Sequence, residues 1–364
     1  MNMIPLVKPY IAPEEAMMPA IKQILYSGYI AEGEKVYEFE SVFGDYIQNP
    51  NVLSVNSGTA ALHIALMLIG VGPGDEVIST ALTAEPTNVV IKLTGAKVVW
   101  ADVDVKTGLI SPESIRAKIT DKTKAIMVVH YAGMVCNMDE INKISSETGI
   151  PVIEDTAHAM GSGYGGRPVG SNSAYTCFSL QAIKHLTTVD GGFIALKDPE
   201  RLSDGRKLRW FGLDKKLPRL QNDIKFPGYK YQMNNVTATI GLVQMKYIDR
   251  VIARHKENGQ YFDENLKGIA GVTLLPYYEH TEPSYWLYTM KVENRPDFIK
   301  MMTENGIMAS ELHLRNDRHS VFSESKCELP ALDDFYSTFV HIPCGWWLSD
   351  EEREKIVDLI KKGW

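Results

Sequence analysis

Val52-Leu53-Ser54-Val55-Asn56-Ser57-Gly58-Thr59-Ala60-Ala61-Leu62-His63-Ile64-Ala65-Leu66 passes from a short apolar strand straight into a helix. The chain then repeats this unit: strand 76–79, helix 83–93, strand 97–101, helix 111–119 with Pro112 in its first turn, strand 125–130, helix 138–148 and strand 151–154. Strands and helices alternating at this length predict an α/β fold with a mainly parallel sheet covered on both faces. The apolar runs 174–178 and 193–196 continue the pattern, with Lys184 in the turn between them.

Upstream, 14–26 and 35–47 read as amphipathic helices, punctuated by Gly28 and Gly33. Downstream come a helix near 200–210, an irregular loop to about 231, one long helical stretch over 234–266, strands at 272–275 and 286–292, and a helix at 296–305. The last helix, 350–362, opens with Ser349 and Glu352 spaced as a capping box. The expected division is a large α/β domain over 1–249 and a smaller α+β domain over 250–364, with packing of the first helices on the small domain as the alternative.

The 364 residues, 45% hydrophobic and 23% charged, suffice for two domains with a substantial core. A net charge of -7 with dispersed basic residues gives no footprint for nucleic acid, and no helix-turn-helix segment is visible. Met1 to Leu6 lacks the pattern of a secretory leader, and no apolar run approaches the roughly 20 residues of a membrane span, so a cytoplasmic protein without a membrane partner is expected. Cys136, Cys177, Cys327 and Cys344 are scattered and form no CxxC pair. They read as reduced, mostly buried thiols, with neither a disulfide framework nor a metal site.

Three places carry chemistry. Ser57, Gly58 and Thr59 open a helix where free amides suit a phosphate, although Ser57 also reads as an ordinary N-cap. Asp155, with His158 after it, ends a strand at the edge where open parallel sheets bind ligands. Lys184 follows across a glycine-rich segment; the formal GxGxxG at Gly161-Ser162-Gly163-Tyr164-Gly165-Gly166 precedes Arg167-Pro168 rather than a helix and reads as a hairpin turn. A lysine for a Schiff base, a carboxylate for a pyridinium nitrogen, and amides with hydroxyls for a phosphate are together what pyridoxal 5′-phosphate requires.

The chain resembles the DegT/DnrJ/EryC1/StrS sugar aminotransferases, which have the type I fold of aspartate aminotransferase. The resemblance rests on Ser57 to Leu62, Glu154 to His158, Cys177 to Ser179, Lys184 to Gly192, Trp210-Phe211-Gly212 and Gly228 to Asn235. It implies that Lys184 carries the cofactor and moves the α-proton, that Asp155 pairs with the pyridine nitrogen, and that His158 lies by the ring hydroxyl. Gly58, Thr59 and Ser179, with Ser57 beside them, are implied to hold the phosphate. The Gly228 to Asn235 segment resembles one that a neighbouring subunit contributes, so a homodimer is implied, with either Lys230 or Asn234 reaching the phosphate across the interface. Ala84 takes the place where many relatives set a ring against the cofactor, and Glu85 adds a polar contact beside it.

Related dehydratases replace the lysine by histidine; here Lys184 is present with His185 beside it, which favours transamination. The implied reaction moves an amino group from L-glutamate to a keto-sugar, most simply a nucleotide-linked 3- or 4-keto-6-deoxy sugar for surface polysaccharide or amino-sugar biosynthesis. A keto-sugar acid or another small ketone, a sugar dehydration, and a non-enzymatic regulatory role are the alternatives. Glu85, His185 and the His- and Arg-rich stretch 311–320, with His313, Arg315 and His319, are the candidate substrate contacts.

Overall fold

The structure, a computed structural model, describes residues 3–170 and 173–364. Met1 and Asn2, part of the stretch read for a leader, lie outside the described residues. Two helices, α1 (Glu14–Leu25) and α2 (Glu34–Tyr46), precede the alternation read from the sequence. It runs β1 (Val52–Val55), α3 (Gly58–Ile69), β2 (Glu76–Thr80), α4 (Glu85–Leu93), β3 (Lys97–Ala101), α5 (Pro112–Lys118), β4 (Thr123–Val129), α6 (Met138–Thr148) and β5 (Val152–Asp155). The GxGxxG-like run forms the hairpin β6 (Gly163–Tyr164) and β7 (Arg167–Pro168). Gly165 and Gly166 turn it at φ 60° and 75°, the left-handed pair that a two-residue hairpin demands. Then β8 (Tyr175–Ser179) and β9 (Gly192–Leu196) flank the lysine turn, and α7 (Arg201–Leu208) follows.

Seven strands form one sheet in the order β1-β9-β8-β5-β4-β2-β3. Within it β9 alone runs antiparallel, against both β1 and β8; the other pairs are parallel. Helices cover both faces, so Ala125 to Val128 of β4 are fully buried as an unbroken apolar run rather than an alternating one. Cys136 and Cys177 are buried free thiols of this core, Cys344 is a buried free thiol elsewhere, and Cys327 is exposed.

The expected single helix over 234–266 is instead two, α8 (Asn235–Met245) and α9 (Ile248–Asn265). Lys246 and Tyr247 donate to the carbonyls three residues back, Val243 and Gln244, tightening the turn and ending α8. The Gln244 side chain is occupied with Tyr10 O and Ala12 N, which ties the N-terminal segment to α8. α1 and α2 pack on α8, and α9 turns away to carry Phe262 and Leu266 into a second core.

That second core surrounds a three-stranded antiparallel sheet. The elements of this half, with the short strand that pairs with β6, are β10 (Val272–Leu274), β11 (Thr281–Glu282), β12 (Tyr288–Val292), α10 (Arg295–Glu304), α11 (Pro330–Thr338), β13 (Phe339–Ile342) and α12 (Asp350–Lys362), of which α11 turns Leu332 and Phe335 into the first core. The expected strand over 286–292 begins only at Tyr288, because the preceding residues bond to the large sheet's loops: Ser284 N–H to Gly133 O and Leu287 N–H to Ala132 O. α11 and β13 were not anticipated, although Pro330 in the first turn was a legible start signal. Ser349 and Glu352 form the expected capping box. Among the described residues no helix is long and apolar enough to cross a membrane.

Candidate functional site

A cleft of about 370 Å³ opens at the C-terminal ends of β4, β5 and β8, between the N-termini of α3 and α4. The sheet edge explains its position: parallel strands end together here, and the helices that follow them begin with unpaired amides. The structure brings Ser57, Gly58, Thr59, Ala84, Glu85, Asp155, His158, Ser179, Lys184 and His313 to this one cleft.

Ser57 caps α3 with its hydroxyl on Ala60 N–H at 3.1 Å, and its carbonyl accepts from Ala61 N–H. That leaves the amides of Gly58 and Thr59, at the positive end of a twelve-residue helix, without intrahelical partners. Ser57 is thus an N-cap, and its capping role does not use up the next two amides. Gly58 is required by packing, since a Cβ there would stand 2.7 Å from Ser179 Cβ. The helix start is thus pressed against the end of β8, which sets Ser179 beside the free amides.

Asp155 is 5% exposed at the end of β5. Its carboxylate accepts from Thr87 Oγ1 at 2.8 Å and from Ala157 N–H at 3.0 Å. Burial pushes its carboxyl above the ordinary range, while those two donors and the Lys184 charge pull the other way. Such an acid stays ionised most readily when a cation joins it.

Lys184 sits on a turn whose neck is closed by Leu180 N–H to Gly191 O at 2.8 Å and Thr188 N–H to Leu180 O at 3.0 Å. The half-buried side chain lines the cleft, and burial lowers the amine's pKa to about 7; Asp155 opposes the fall. A substantial neutral fraction follows near physiological pH, as a nucleophilic or basic amine needs.

His158 accepts Ala132 N–H on Nδ1 at 3.3 Å, so its ring proton resides on Nε2. Burial and the Lys184 charge hold its pKa well below the usual value, so the ring is a neutral donor. His313 reaches the cleft from the other sheet's side, and its Nε2 is buried without a partner among the described residues. Burial and then the Lys184 charge lower its pKa to about 4, with Glu85 opposing. His319 Nε2 lies 3.8 Å from Glu85 Oε1 at the rim. Asn316 sets this loop in place: it is fully buried, donates from Nδ2 to Thr83 O at 2.8 Å, and accepts from Asn88 Nδ2 at 2.9 Å.

Four candidates lie elsewhere. Arg315 is 3% exposed and its guanidinium is spent on Asp317 and Asp333, so it offers no charge to a substrate. His185 is buried outside the cleft, with Nε2 on Ser284 O at 3.3 Å and its ring against His255. Lys230 and Asn234 are exposed and do not line this chain's cleft; Asn234 caps α8 through Thr237 N–H. Two residues escaped sequence reasoning. Thr87 stands one helical turn after Ala84, a spacing that could have pointed to it, whereas nothing local pointed to Trp286, whose ring stacks on His158.

The cleft's parts fit pyridoxal 5′-phosphate: free amides for the phosphate, a buried carboxylate for the ring nitrogen, a neutral imidazole donor for the ring hydroxyl and an amine of lowered pKa. Among solved structures, the chain is similar to AtS13 from Actinomadura melliaura (38% identity, TM-score 0.96, all of both chains covered). It is as similar to the sugar aminotransferase CalS13 from Micromonospora echinospora (37% identity, TM-score 0.96, all of both chains covered). Spr1654 from Streptococcus pneumoniae, solved in PLP and PMP forms, is 29% identical in the PLP form (TM-score 0.91, 99% of this chain and 98% of that chain). With the family's model matching residues 12–361, the chain belongs to the DegT/DnrJ/EryC1/StrS aminotransferase family and is an enzyme that moves amino groups with pyridoxal 5′-phosphate.

Proposed function

We propose that this enzyme transfers an amino group from L-glutamate to the carbonyl carbon of a nucleotide-linked 3- or 4-keto-6-deoxy sugar. The observation that carries the reading is the junction of Lys184, with its amine near pKa 7, and a cleft lined by Glu85 and His313. A carboxylate and a neutral imidazole suit the hydroxyls of a sugar. The likeness to the sugar aminotransferase CalS13 supports the same class.

When bound, pyridoxal 5′-phosphate supplies an electron sink that acidifies the substrate C–H. This chain's residues do the rest. The Gly58 and Thr59 amides and the Ser179 hydroxyl would hold the phosphate, Asp155 would keep the ring nitrogen protonated, and His158 Nε2–H would donate to the ring hydroxyl. Lys184 would hold the cofactor between turnovers and, freed as a neutral amine, would take the proton from the donor's Cα in the first half-reaction and, as the ammonium, deliver one to the acceptor carbon in the second.

We assign the active form to a homodimer in the cytoplasm, where unpaired thiols stay reduced. Tyr29 (79% exposed) and Ile30 (50%) border a groove of about 1210 Å³ between α1, α2 and α8, an apolar surface suited to a second copy. Exposed Lys230 or Asn234 would then complete the partner's phosphate site. The test incubates holoenzyme with L-glutamate, follows conversion of the cofactor's absorbance to that of its amine form, and adds a panel of keto-sugar nucleotides with mass detection of the amino product. Absence of conversion with every amino donor would overturn the reading.

A further inference from the structure

Trp286 joins the lysine turn to the segment that connects the two sheets. It is 2% exposed, and its Nε1–H donates to Ile183 O at 2.9 Å, one residue before Lys184. The Lys184 amine lies over the same indole, 4.0 Å from the ring centroid. The ring also stacks on His158, with centroids 3.9 Å apart and planes 19° apart. The segment is itself rigidly held. Ser284 and Leu287 donate to Gly133 O and Ala132 O, and the Ser284 and Tyr285 carbonyls accept from His185 and His255. Both chain neighbours of Lys184, Ile183 and His185, are therefore bonded to residues 284–286.

We propose that Trp286 is a positioning residue for Lys184: its N–H fixes the turn, its ring face holds the free ammonium, and the same ring keeps His158 in place. The inference rests on the reading of Lys184 as the reactive amine. A four-carbon side chain freed from its cofactor has many rotamers, and an indole face is the strongest aromatic site for a desolvated ammonium. The titratable groups around the amine are Asp155 from β5, His158 beyond it and His313 from the loop before α11, with His185, next in the chain but turned away, feeling its charge through space. The three histidines have lowered pKa values and are uncharged at neutral pH, which leaves Asp155 and the indole as the groups that favour the ammonium.

The test uses apoenzyme. The pH dependence of Lys184 modification by 2,4,6-trinitrobenzenesulfonate, read by peptide mapping, gives the amine's pKa in wild type, Trp286→Leu and Trp286→Phe. Trp286→Leu is expected to lower that pKa by about one unit, and Trp286→Phe, which keeps a weaker ring face, by about half as much. In holoenzyme, Trp286→Leu should lose roughly tenfold in the rate of the glutamate half-reaction with KM unchanged, and Trp286→Phe should recover most of it. An unchanged or raised pKa in folded Trp286→Leu overturns the proposal; if that variant does not fold, an unchanged pKa in Trp286→Phe does so. Normal product formation by Lys184→Ala would overturn the functional reading alone, since the apoenzyme measurement does not depend on turnover.

Discussion

Thr87 Oγ1 donates to Asp155 Oδ2 at 2.8 Å across the floor of the cleft, joining the first turn of α4 to the end of β5. The bond helps keep a buried carboxylate charged in a place where burial alone favours the acid. Thr87→Val removes the donor and retains the shape. Cofactor affinity of the apoenzyme, read by equilibrium dialysis, is expected to fall about tenfold, in line with one lost bond to a charged group. Thr87→Ser should restore it.

Under the proposed function Lys184 reacts as a neutral amine, and its lowered pKa of about 7 sets how much is available. Reconstitution of apoenzyme with pyridoxal 5′-phosphate is therefore expected to slow about tenfold per pH unit below 7 and to level off above it. Stopped-flow absorbance measures this directly.

The same depressed pKa is a stability statement. Unfolded lysine binds its proton up to about pH 10.4, so between 7 and that value the unfolded chain holds more protons, and this group's penalty is relieved as pH rises. Below pH 7 the penalty is full. Lys184→Met should therefore make apoenzyme more stable than wild type at pH 7, by a few kcal/mol, with the gain shrinking toward pH 10. Calorimetry of both proteins across that range tests the sign.

Gly58→Ala puts a methyl group 2.7 Å from Ser179 Cβ. Either the start of α3 or the end of β8 must move, at a cost of roughly 1–3 kcal/mol. Phosphate binding should suffer most: cofactor affinity is expected to fall more than tenfold, while pyridoxal without its phosphate, already weakly held, loses little.

His313→Ala should lower kcat/KM for the keto-sugar about tenfold and leave the glutamate half-reaction within twofold, if its Nε2 serves the acceptor. Because the imidazole titrates at about 4, this contribution should not vary between pH 6 and 9. Asn316→Ala, which releases Thr83 O and Asn88 from the same loop, should produce a milder version of the same defect.

Much of the site was legible because its parts are local. A strand followed by Ser57-Gly58-Thr59, a strand ending in Asp155, and a lysine between two apolar runs each announce themselves within a few residues, and the parallel sheet brings strand ends to one edge. The His- and Arg-rich stretch was legible only as composition. Folding divided it: His313 came to the cleft, while Arg315 was neutralised by Asp317 and by Asp333 on α11, a helix the sequence pattern did not reveal. His185, adjacent to the lysine, was turned away by the geometry of the turn and bonded to Ser284 O.

By itself, then, the sequence determined the alternating α/β architecture and the three places along the chain that meet at the cleft, because hydrophobic periodicity and helix-start chemistry act over a few residues. Only the tertiary structure decided which side chains face the cleft and which protonation states they hold. Those depend on burial and on partners remote in the chain: Trp286 on Lys184 and His158, Thr87 on Asp155, and Asn316 beneath the loop that carries His313. Desolvation and through-space charge have no period along the chain, so no local pattern can record them.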